Sequence, residues 1–219
     1  MSYLDTLTVN QAAQMDQYYR FHAKIYDLTR WSFLFGRAAL IRHLARLGNY
    51  TKILEIGCGT GQNLVHLSRV FPKAAIIGVD ASQEMLNVAK KTVNQKTDPT
   101  TWIGLVRQVY DAPLCRDRPF DLILFSYSLS MMNPGWDRAI AAARADLAED
   151  GTIAVVDFHN STLSAFKQWM GVNHVRMDSH LLANLKSKFS AQIAQTKAAY
   201  GGAWEYMTFI GQQKENFVL

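Results

Sequence analysis

Three glycines follow a short apolar run at every second position. The run is residues 52–56, Lys-Ile-Leu-Glu-Ile, and the glycines are Gly57, Gly59 and Gly61. Glycine is needed where the backbone takes a positive φ or lies against a ligand with no room for a Cβ atom. The run is typical of a buried parallel strand, and residues 63–67 indicate a helix whose N-terminus faces the same crevice. The pattern predicts a strand that ends in a ligand-binding turn; the alternative is a tight strand-to-helix turn without a ligand.

A second acidic residue stands at the end of the next strand-like run. Asp80 follows residues 75–79 and lies 25 positions after Glu55. In doubly wound nucleotide-binding folds, an acidic residue at the tip of the second strand hydrogen-bonds both hydroxyls of a ribose. The spacing here is Glu-x-Gly-x-Gly-x-Gly, whereas dinucleotide-binding folds usually show Gly-x-Gly-x-x-Gly.

This spacing resembles the first motif of class I S-adenosylmethionine-dependent methyltransferases. The similarity continues through residues 110–114, where members of that family bind adenine, and through residues 120–125 as the fourth strand. The resemblance implies that Glu55 and the glycines face the methionyl part of S-adenosylmethionine, that Asp80 holds the ribose, and that the product is S-adenosyl-L-homocysteine. The cofactor-binding residues that it implies are Glu55, Gly57, Cys58, Gly59, Gly61, Asn63, Asp80, Ala81, Met85, Tyr110, Asp111, Ala112, Ser126 and Tyr127.

Strand-like and helix-like segments alternate over residues 51–157, as a parallel sheet requires. The first two strands end at Glu55 and Asp80, and the later ones are expected at residues 103–107, 120–126, 152–156, 191–199 and 204–211, with a helix over residues 136–147. The last two strands form an antiparallel hairpin joined at residues 201–202. We therefore predict an α/β, Rossmann-like, seven-stranded and mostly parallel sheet with an antiparallel C-terminal hairpin and helices on both faces.

The length and composition predict one domain. The chain has 219 residues, of which 49% are hydrophobic, which is enough for one sizeable core. Within it, residues 1–50 are expected to form an N-terminal helical cap and residues 51–157 the cofactor-binding core. Residues 158–219 are expected to hold a polar and aromatic substrate-side insertion, over residues 166–180, and the last two strands.

Several functional classes are disfavoured by what the sequence lacks. Its two cysteines, Cys58 and Cys115, make neither a disulfide framework nor a metal site, and no cluster of histidines and carboxylates has metal-ligand spacing, so we expect no metal. No basic segment leads into an apolar one at the N-terminus, and no window of about 18 apolar residues exists. These features predict a cytoplasmic protein without a transmembrane segment.

The positive charge lies at the two ends of the chain. Six basic and three acidic residues give residues 1–50 a charge of +3, eleven of each leave residues 51–156 neutral, and six basic and four acidic residues give residues 157–219 a charge of +2. Basic flanks can meet anionic lipid, nucleic acid or only water. We expect no nucleic-acid partner, because the core carries no surplus of positive charge. In addition, the fourth strand ends in Ser-Tyr-Ser, whereas enzymes that methylate amino groups of nucleic acids have an Asn/Asp-Pro-Pro-Tyr-like loop there.

The flanks show a closer resemblance. Residues 19–37, 157–180 and 200–204 are similar to bacterial lipid head-group N-methyltransferases. The nearest convert diacylglyceryl-homoserine to its trimethylated betaine lipid, and the phosphatidylethanolamine N-methyltransferases are more distant. The resemblance implies a lipid amine as the acceptor and peripheral association with the anionic inner face of a membrane.

Methyl transfer from a sulfonium is an in-line displacement, and the methyl group is already activated. The enzyme therefore mainly aligns the donor with the acceptor and stabilises the charges of the transition state. An acceptor amine must lose a proton before it attacks, and we name Tyr19, Tyr26 and His159 as catalytic candidates. Aromatic faces, including that of Tyr127, would stabilise the cationic product. The substrate-binding candidates are Tyr18, Arg30, Arg37, Asn173, His174, Arg176 and His180. The alternatives are core packing for the aromatic residues and a plain surface position for the last two histidines.

Two other functions stay open. The first is a methyltransferase for a soluble small molecule, and the second is a non-catalytic cofactor-binding or scaffolding module. The head group, the number of methyl groups added and the oligomeric state do not follow from the sequence.

Overall fold

The computed structural model describes residues 34–114 and 119–214. The helices are α1 (Arg37–Leu47), α2 (Gln62–Val70), α3 (Gln83–Lys96), α4 (Trp136–Asp146), α5 (Ser164–Val172) and α6 (His180–Lys188), with short 3-10 helices at Leu129–Met131 and Tyr200–Gly202. The strands are β1 (Lys52–Ile56), β2 (Ala75–Asp80), β3 (Ile103–Arg107), β4 (Phe120–Ser126), β5 (Leu147–Asn160), β6 (Phe189–Ala199) and β7 (Trp204–Gln213).

The seven strands form one sheet in the order β3-β2-β1-β4-β5-β7-β6. The pairs β1–β2, β2–β3 and β4–β5 are parallel, whereas β7 pairs antiparallel with both β5 and β6. The predicted α/β fold, a Rossmann-like, mostly parallel sheet with an antiparallel C-terminal hairpin, is confirmed.

Two segments differ from the expectations. The fifth strand, β5, spans 14 residues, far beyond the predicted 152–156, because residues 147–150 continue it and Leu147 pairs with Phe120 across a register shift. The predicted insertion at residues 166–180 includes most of α5, and the unanticipated helix α6 follows it. Leu181, Leu182 and Leu185 are buried, which explains why this second segment forms a packed helix.

The described residues divide into two compact units, with the boundary between residues 110 and 111. In the first unit, Ile53, Leu54 and Ile56 of β1 are fully buried, as the interior strand of a parallel sheet requires. Burying each such side chain contributes roughly 1.5–3 kcal/mol. Helix α3 begins at a side-chain cap, where the Met85 amide donates to Ser82 Oγ at 3.3 Å. The predicted division at residues 50 and 157 stays a prediction.

In the second unit, residues 153–156 of β5 are fully buried, and aromatic residues fill the space around them. The Tyr127, Phe158 and Trp204 rings form a chain with centroid separations of 4.7 and 5.1 Å. Tyr127 directly follows β4, so this packing fixes the carboxyl end of that strand against β5 and β7.

In residues 34–114 and 119–214, no helix combines the length and the apolar character that crossing a bilayer demands. The same residues contain no group of three or more histidine, cysteine or acidic side chains able to hold a metal ion.

Candidate functional site

The glycine turn after β1 has the backbone geometry that its sequence predicts. Gly57, Gly59 and Gly61 have φ angles of 71°, 52° and 79°, in the left-handed region that favours glycine. The Gly57 and Cys58 amides both donate to the Val79 carbonyl, at 2.8 and 3.0 Å, which ties the turn to β2. A Cβ atom at Gly61 would lie 3.1 Å from Ala89 Cβ. The turn therefore depends on glycine both for conformation and for space.

Asp80 joins the end of β2 to this turn. Its Oδ2 accepts a hydrogen bond from the Gly59 amide at 2.8 Å, and its Oδ1 accepts one from the Ser82 amide at 2.9 Å. An ionised carboxylate accepts about four hydrogen bonds. The two backbone bonds orient Asp80 and are compatible with further bonds to a pair of ligand hydroxyls.

Glu55 is a buried acid beside the same turn. Only 1% of the residue is exposed, and its Oε1 accepts a hydrogen bond from Asn63 Nδ2 at 2.7 Å. Asn63 lies in the first turn of α2, whose N-terminus carries a partial positive charge. The structure thus brings Glu55 and Asn63 together at a helix N-terminus, where a carboxylate is favoured.

The other candidates in the first unit follow β1, β2 and β3 along the chain. Burial raises the pKa of the Cys58 thiol, and the negative charges of Asp80 and Glu55 raise it further, so this cysteine is protonated and unreactive at neutral pH. Ala81 is half-buried and its carbonyl accepts from Arg107 Nε at 3.4 Å. Met85 and Tyr110 are buried, with 1% and 4% exposed.

The candidates of the second unit lie before β4 or at its carboxyl end along the chain. Asp111 lies 3.9 Å from the Arg138 guanidinium, and Ala112 is exposed. Ser126 is the buried last residue of β4. Tyr127 has a φ of 55°, rare for a residue with a side chain, and only 1% of it is exposed. Strained residues of this kind cluster at functional sites, yet the Tyr127 ring packs into the aromatic core.

Asp157 was not among the residues singled out for chemistry, although it precedes His159 on β5. Its carboxylate is fully buried and accepts hydrogen bonds from the Ser130 amide at 3.1 Å and the Phe158 amide at 2.8 Å. Burial raises the pKa of Asp157 to about 6, against the opposing effect of the hydrogen bonds from Ser130 and from the Phe158 and Leu129 amides. The group fastens the 3-10 helix after β4 to the end of β5.

We predict that Asp157→Asn changes how stability depends on pH. Because the folded-state pKa is raised from 3.8 to about 6, this group favours folding below about pH 4, and that contribution is lost as the pH rises through 6. The free energy of unfolding of the original protein, minus that of the variant, should fall by about 3 kcal/mol over this range. Urea unfolding at several pH values measures it, and a difference independent of pH contradicts the prediction.

His159 occupies the carboxyl-terminal end of β5. Its Nδ1 atom is buried and has no hydrogen-bond partner within residues 34–114 and 119–214. Burial lowers the pKa of His159, while the negative charge of Glu205 acts in the opposite direction. The imidazole is therefore neutral at pH 7, and one of its ring nitrogens is able to accept a proton.

The substrate-binding candidates Asn173 and Arg176 belong to two separate local structures. Asn173 Nδ2 donates to the Trp169 carbonyl at 2.7 Å and so closes the end of α5. Arg176 Nε donates to Asp178 Oδ2 at 2.6 Å, and His174 is exposed.

His180 also contacts Asp178, through its Nδ1 atom. It is not the plain surface residue considered above, because its side chain is 13% exposed and its ring packs edge-on against Trp136 at 4.7 Å. Burial lowers the pKa of His180, and Asp178 opposes the shift. Asp178 is the shared partner of Arg176 and His180, and it was not among the candidates named from the sequence. Its position two residues from each of them was the signal that could have indicated the contact.

The remaining candidates belong to the N-terminal part of the chain. Arg37 begins α1. The tyrosines Tyr18, Tyr19 and Tyr26 and the cation Arg30 lie outside the described residues.

Known proteins resemble the chain in both sequence and fold. Residues 53–151 match the family described as "Methyltransferase domain". A malonyl-[acyl-carrier protein] O-methyltransferase of Geobacter sulfurreducens is 32% identical over 116 residues, which make up 53% of this chain and 42% of that protein. The chain thus spans less than half the length of the curated relatives it matches.

Two solved structures have the same fold. A 1,6-didemethyltoxoflavin-N1-methyltransferase of Burkholderia thailandensis, with its substrate and S-adenosylhomocysteine bound, has a TM-score of 0.71 at 14% identity, covering 98% of this chain and 92% of that one. The N-methyltransferase NodS of Bradyrhizobium japonicum, also with S-adenosylhomocysteine, has a TM-score of 0.65 at 17% identity, covering 82% and 86%. At these identities the two structures support the fold alone.

Proposed function

We propose that this chain, whose residues 53–151 match the family described as "Methyltransferase domain", is a class I S-adenosylmethionine-dependent methyltransferase that acts on the amine of a lipid head group. The observation that supports the methyl donor is the arrangement of Asp80 and Glu55 around the glycine turn. A turn with glycine at three of its five positions, a carboxylate held at the end of the second strand and a buried acid at a helix N-terminus fit the methionyl part and the ribose of this methyl donor.

The chain's own residues hold the donor in place. Asp80 accepts hydrogen bonds from the ribose hydroxyls, and Glu55 with Asn63 binds the methionyl part next to the glycine turn. Tyr110 is our candidate for binding adenine, and Asp111, Ala112, Ser126 and Tyr127, which belong to the second unit, remain cofactor-binding candidates from the resemblance. S-adenosylmethionine supplies a methyl group on a sulfonium, which is already activated for in-line transfer.

The acceptor amine needs a base, because an ammonium has no lone pair with which to attack. His159 is our candidate, since burial keeps it neutral and its Nδ1 atom has no partner in the described part of the chain. The proton passes from the amine to the imidazole and then to water. Tyr19 and Tyr26 remain candidates for the same task.

A lipid head group as the acceptor is supported by the flanks. Residues 1–50 carry a charge of +3 and residues 157–219 a charge of +2, around a neutral core. Basic flanks attract an anionic membrane surface by roughly 1 kcal/mol per Lys or Arg near it. Together with the resemblance of the flanks to lipid head-group N-methyltransferases, this charge supports our choice of diacylglyceryl-homoserine, or a phosphatidylethanolamine-like lipid, as the acceptor, at the cytoplasmic face of a membrane.

A soluble carboxylate is the second candidate acceptor. The relative from Geobacter sulfurreducens is an O-methyltransferase for malonyl-[acyl-carrier protein]. It is 32% identical over an aligned region that makes up 53% of this chain. A carboxylate has lost its proton at neutral pH and needs no base. Activity on such an acceptor would not depend on His159.

Mass spectrometry of lipids from a host that expresses the chain tests the proposal. New lipids heavier by one, two or three methyl groups, absent with Asp80→Ala, would identify both the acceptor and the number of transfers. Calorimetry of the purified chain with S-adenosylmethionine, alongside turnover of malonyl-acyl carrier protein, separates the alternatives. Cofactor binding without methylation of either acceptor favours the non-catalytic module, and methylation of only the soluble acceptor contradicts the lipid assignment.

A further inference from the structure

Helix α5 exposes large apolar side chains to solvent. Leu163, just before its first turn, is 51% exposed, Trp169 is 54% exposed and Val172 is 79% exposed. Apolar residues that are exposed singly need no explanation, but these lie on one short segment together with the half-buried Phe166. We call these four residues the α5 apolar face.

Helical geometry places the three members of this face that lie within α5 side by side. At about 100° per residue, Phe166, Trp169 and Val172 fall within roughly 120° of the helix circumference. The Phe166 and Trp169 rings contact each other, with centroids 5.9 Å apart. Met170, which is 6% exposed, packs into the protein and leaves the apolar face directed away from it.

Hydrogen bonds hold α5 in this orientation. The Lys167 amide donates to the Leu163 carbonyl at 3.0 Å, and Lys167 Nζ donates to Asn160 Oδ1 at 3.0 Å. At the other end, the Asn173 amide donates to the Met170 carbonyl at 3.0 Å. The face is presented by a fixed helix, so little order has to be gained when it binds a partner.

The charge of the chain segment that contains the face indicates the kind of partner. Residues 158–188 contain four lysines and arginines and a single acidic residue, Asp178. Exposed aromatic and aliphatic side chains flanked by cations suit the boundary between the head groups and the acyl chains of an anionic bilayer. A partner protein with an acidic surface would complement the charge but not the bare tryptophan and valine.

We propose that the α5 apolar face docks the protein on an anionic lipid surface, with Trp169 and Val172 entering the acyl boundary. This proposal rests on the lipid acceptor proposed above, because a head group embedded in a bilayer is reached only by an enzyme that binds the bilayer. Neither residue belongs to the candidate catalytic or cofactor-binding set.

Flotation with vesicles tests the docking surface. The probes are phosphatidylcholine vesicles with and without phosphatidylglycerol, at low and high salt. We expect binding only to the anionic vesicles at low salt, and a loss of at least about tenfold in the double variant Trp169→Ser, Val172→Ser. Trp102→Ser is the matched control, since Trp102 is 58% exposed in the first unit and should leave binding unchanged. Calorimetry with S-adenosylmethionine checks that each variant is folded.

The outcomes separate this proposal from the proposed function. If lipids are methylated but the double variant floats with vesicles as well as the original protein does, the docking surface is wrong and the proposed function stands. Flotation lost in the double variant, without any lipid methylation, supports the surface and contradicts the function. If the original protein does not bind vesicles, and light scattering gives the double variant half the molar mass of the original protein, the face serves self-association and the proposal is overturned.

Discussion

Asp80→Asn should weaken S-adenosylmethionine binding by about 100-fold. Hydrogen bonds to a charged group contribute roughly 1.5–3 kcal/mol each, and the proposed site uses two of them on the ribose, so a loss near 2.7 kcal/mol is expected when the charge is removed. Isothermal calorimetry with S-adenosylmethionine and S-adenosylhomocysteine measures the effect. Asp98→Asn, which removes an exposed acid from the same unit, is the matched control and should leave both affinities unchanged.

The same substitution also disturbs the turn, because Asp80 accepts from the amides of both Gly59 and Ser82. A cofactor analogue without the two ribose hydroxyls separates the two effects, by the logic of a double-mutant cycle. If Asp80 binds the hydroxyls, the analogue binds the original protein about 100-fold more weakly than S-adenosylhomocysteine does, and Asp80→Asn weakens it little further. An equal loss for the analogue and for S-adenosylhomocysteine would mean that Asp80 acts only through the backbone.

The sequence predicts the first unit well because its signals are local. Strand β1 is an apolar run, the turn needs glycine for its φ angles, and Asp80 ends the next strand. Each of these features follows from residues within a few positions of one another. The geometry of the turn and the existence of these strands could therefore be anticipated, and Rossmann-like folds place such a turn at the end of the first strand.

The second unit was harder to predict because its polar contacts join distant residues. Asp157 meets the Ser130 amide, 27 positions earlier, and neither residue signals this partner. Helix α6 has only nine residues, and its three buried leucines do not by themselves distinguish a helix from a strand. The extension of β5 through Glu149 and Asp150 contradicts a local turn signal, and pairing with β4 decides it.

His159→Gln should lower the rate of amine methylation by about 100-fold at pH 7 while leaving S-adenosylmethionine affinity unchanged. General-base catalysis contributes roughly 10²–10⁴-fold, and glutamine keeps much of the size and polarity of histidine without its basicity. Single-turnover kinetics with saturating cofactor measures the loss. His43→Gln, in the first unit, is the matched control and should have no effect.

The pH dependence distinguishes a proton acceptor from a residue that only packs. Because burial lowers the pKa of His159 below its usual 6.5, the original protein should keep its rate as the pH falls from 8 to 6.5 and lose the His159 contribution below that range, where the imidazole is protonated. In His159→Gln, the rate should not show this decrease below pH 6.5. In His159→Ala, added imidazole should restore part of the rate with amine acceptors and none with a carboxylate acceptor, which has no proton to give up. A variant that is equally slow with both acceptors, and that imidazole does not rescue, would assign His159 to positioning and return the role of the base to Tyr19 or Tyr26.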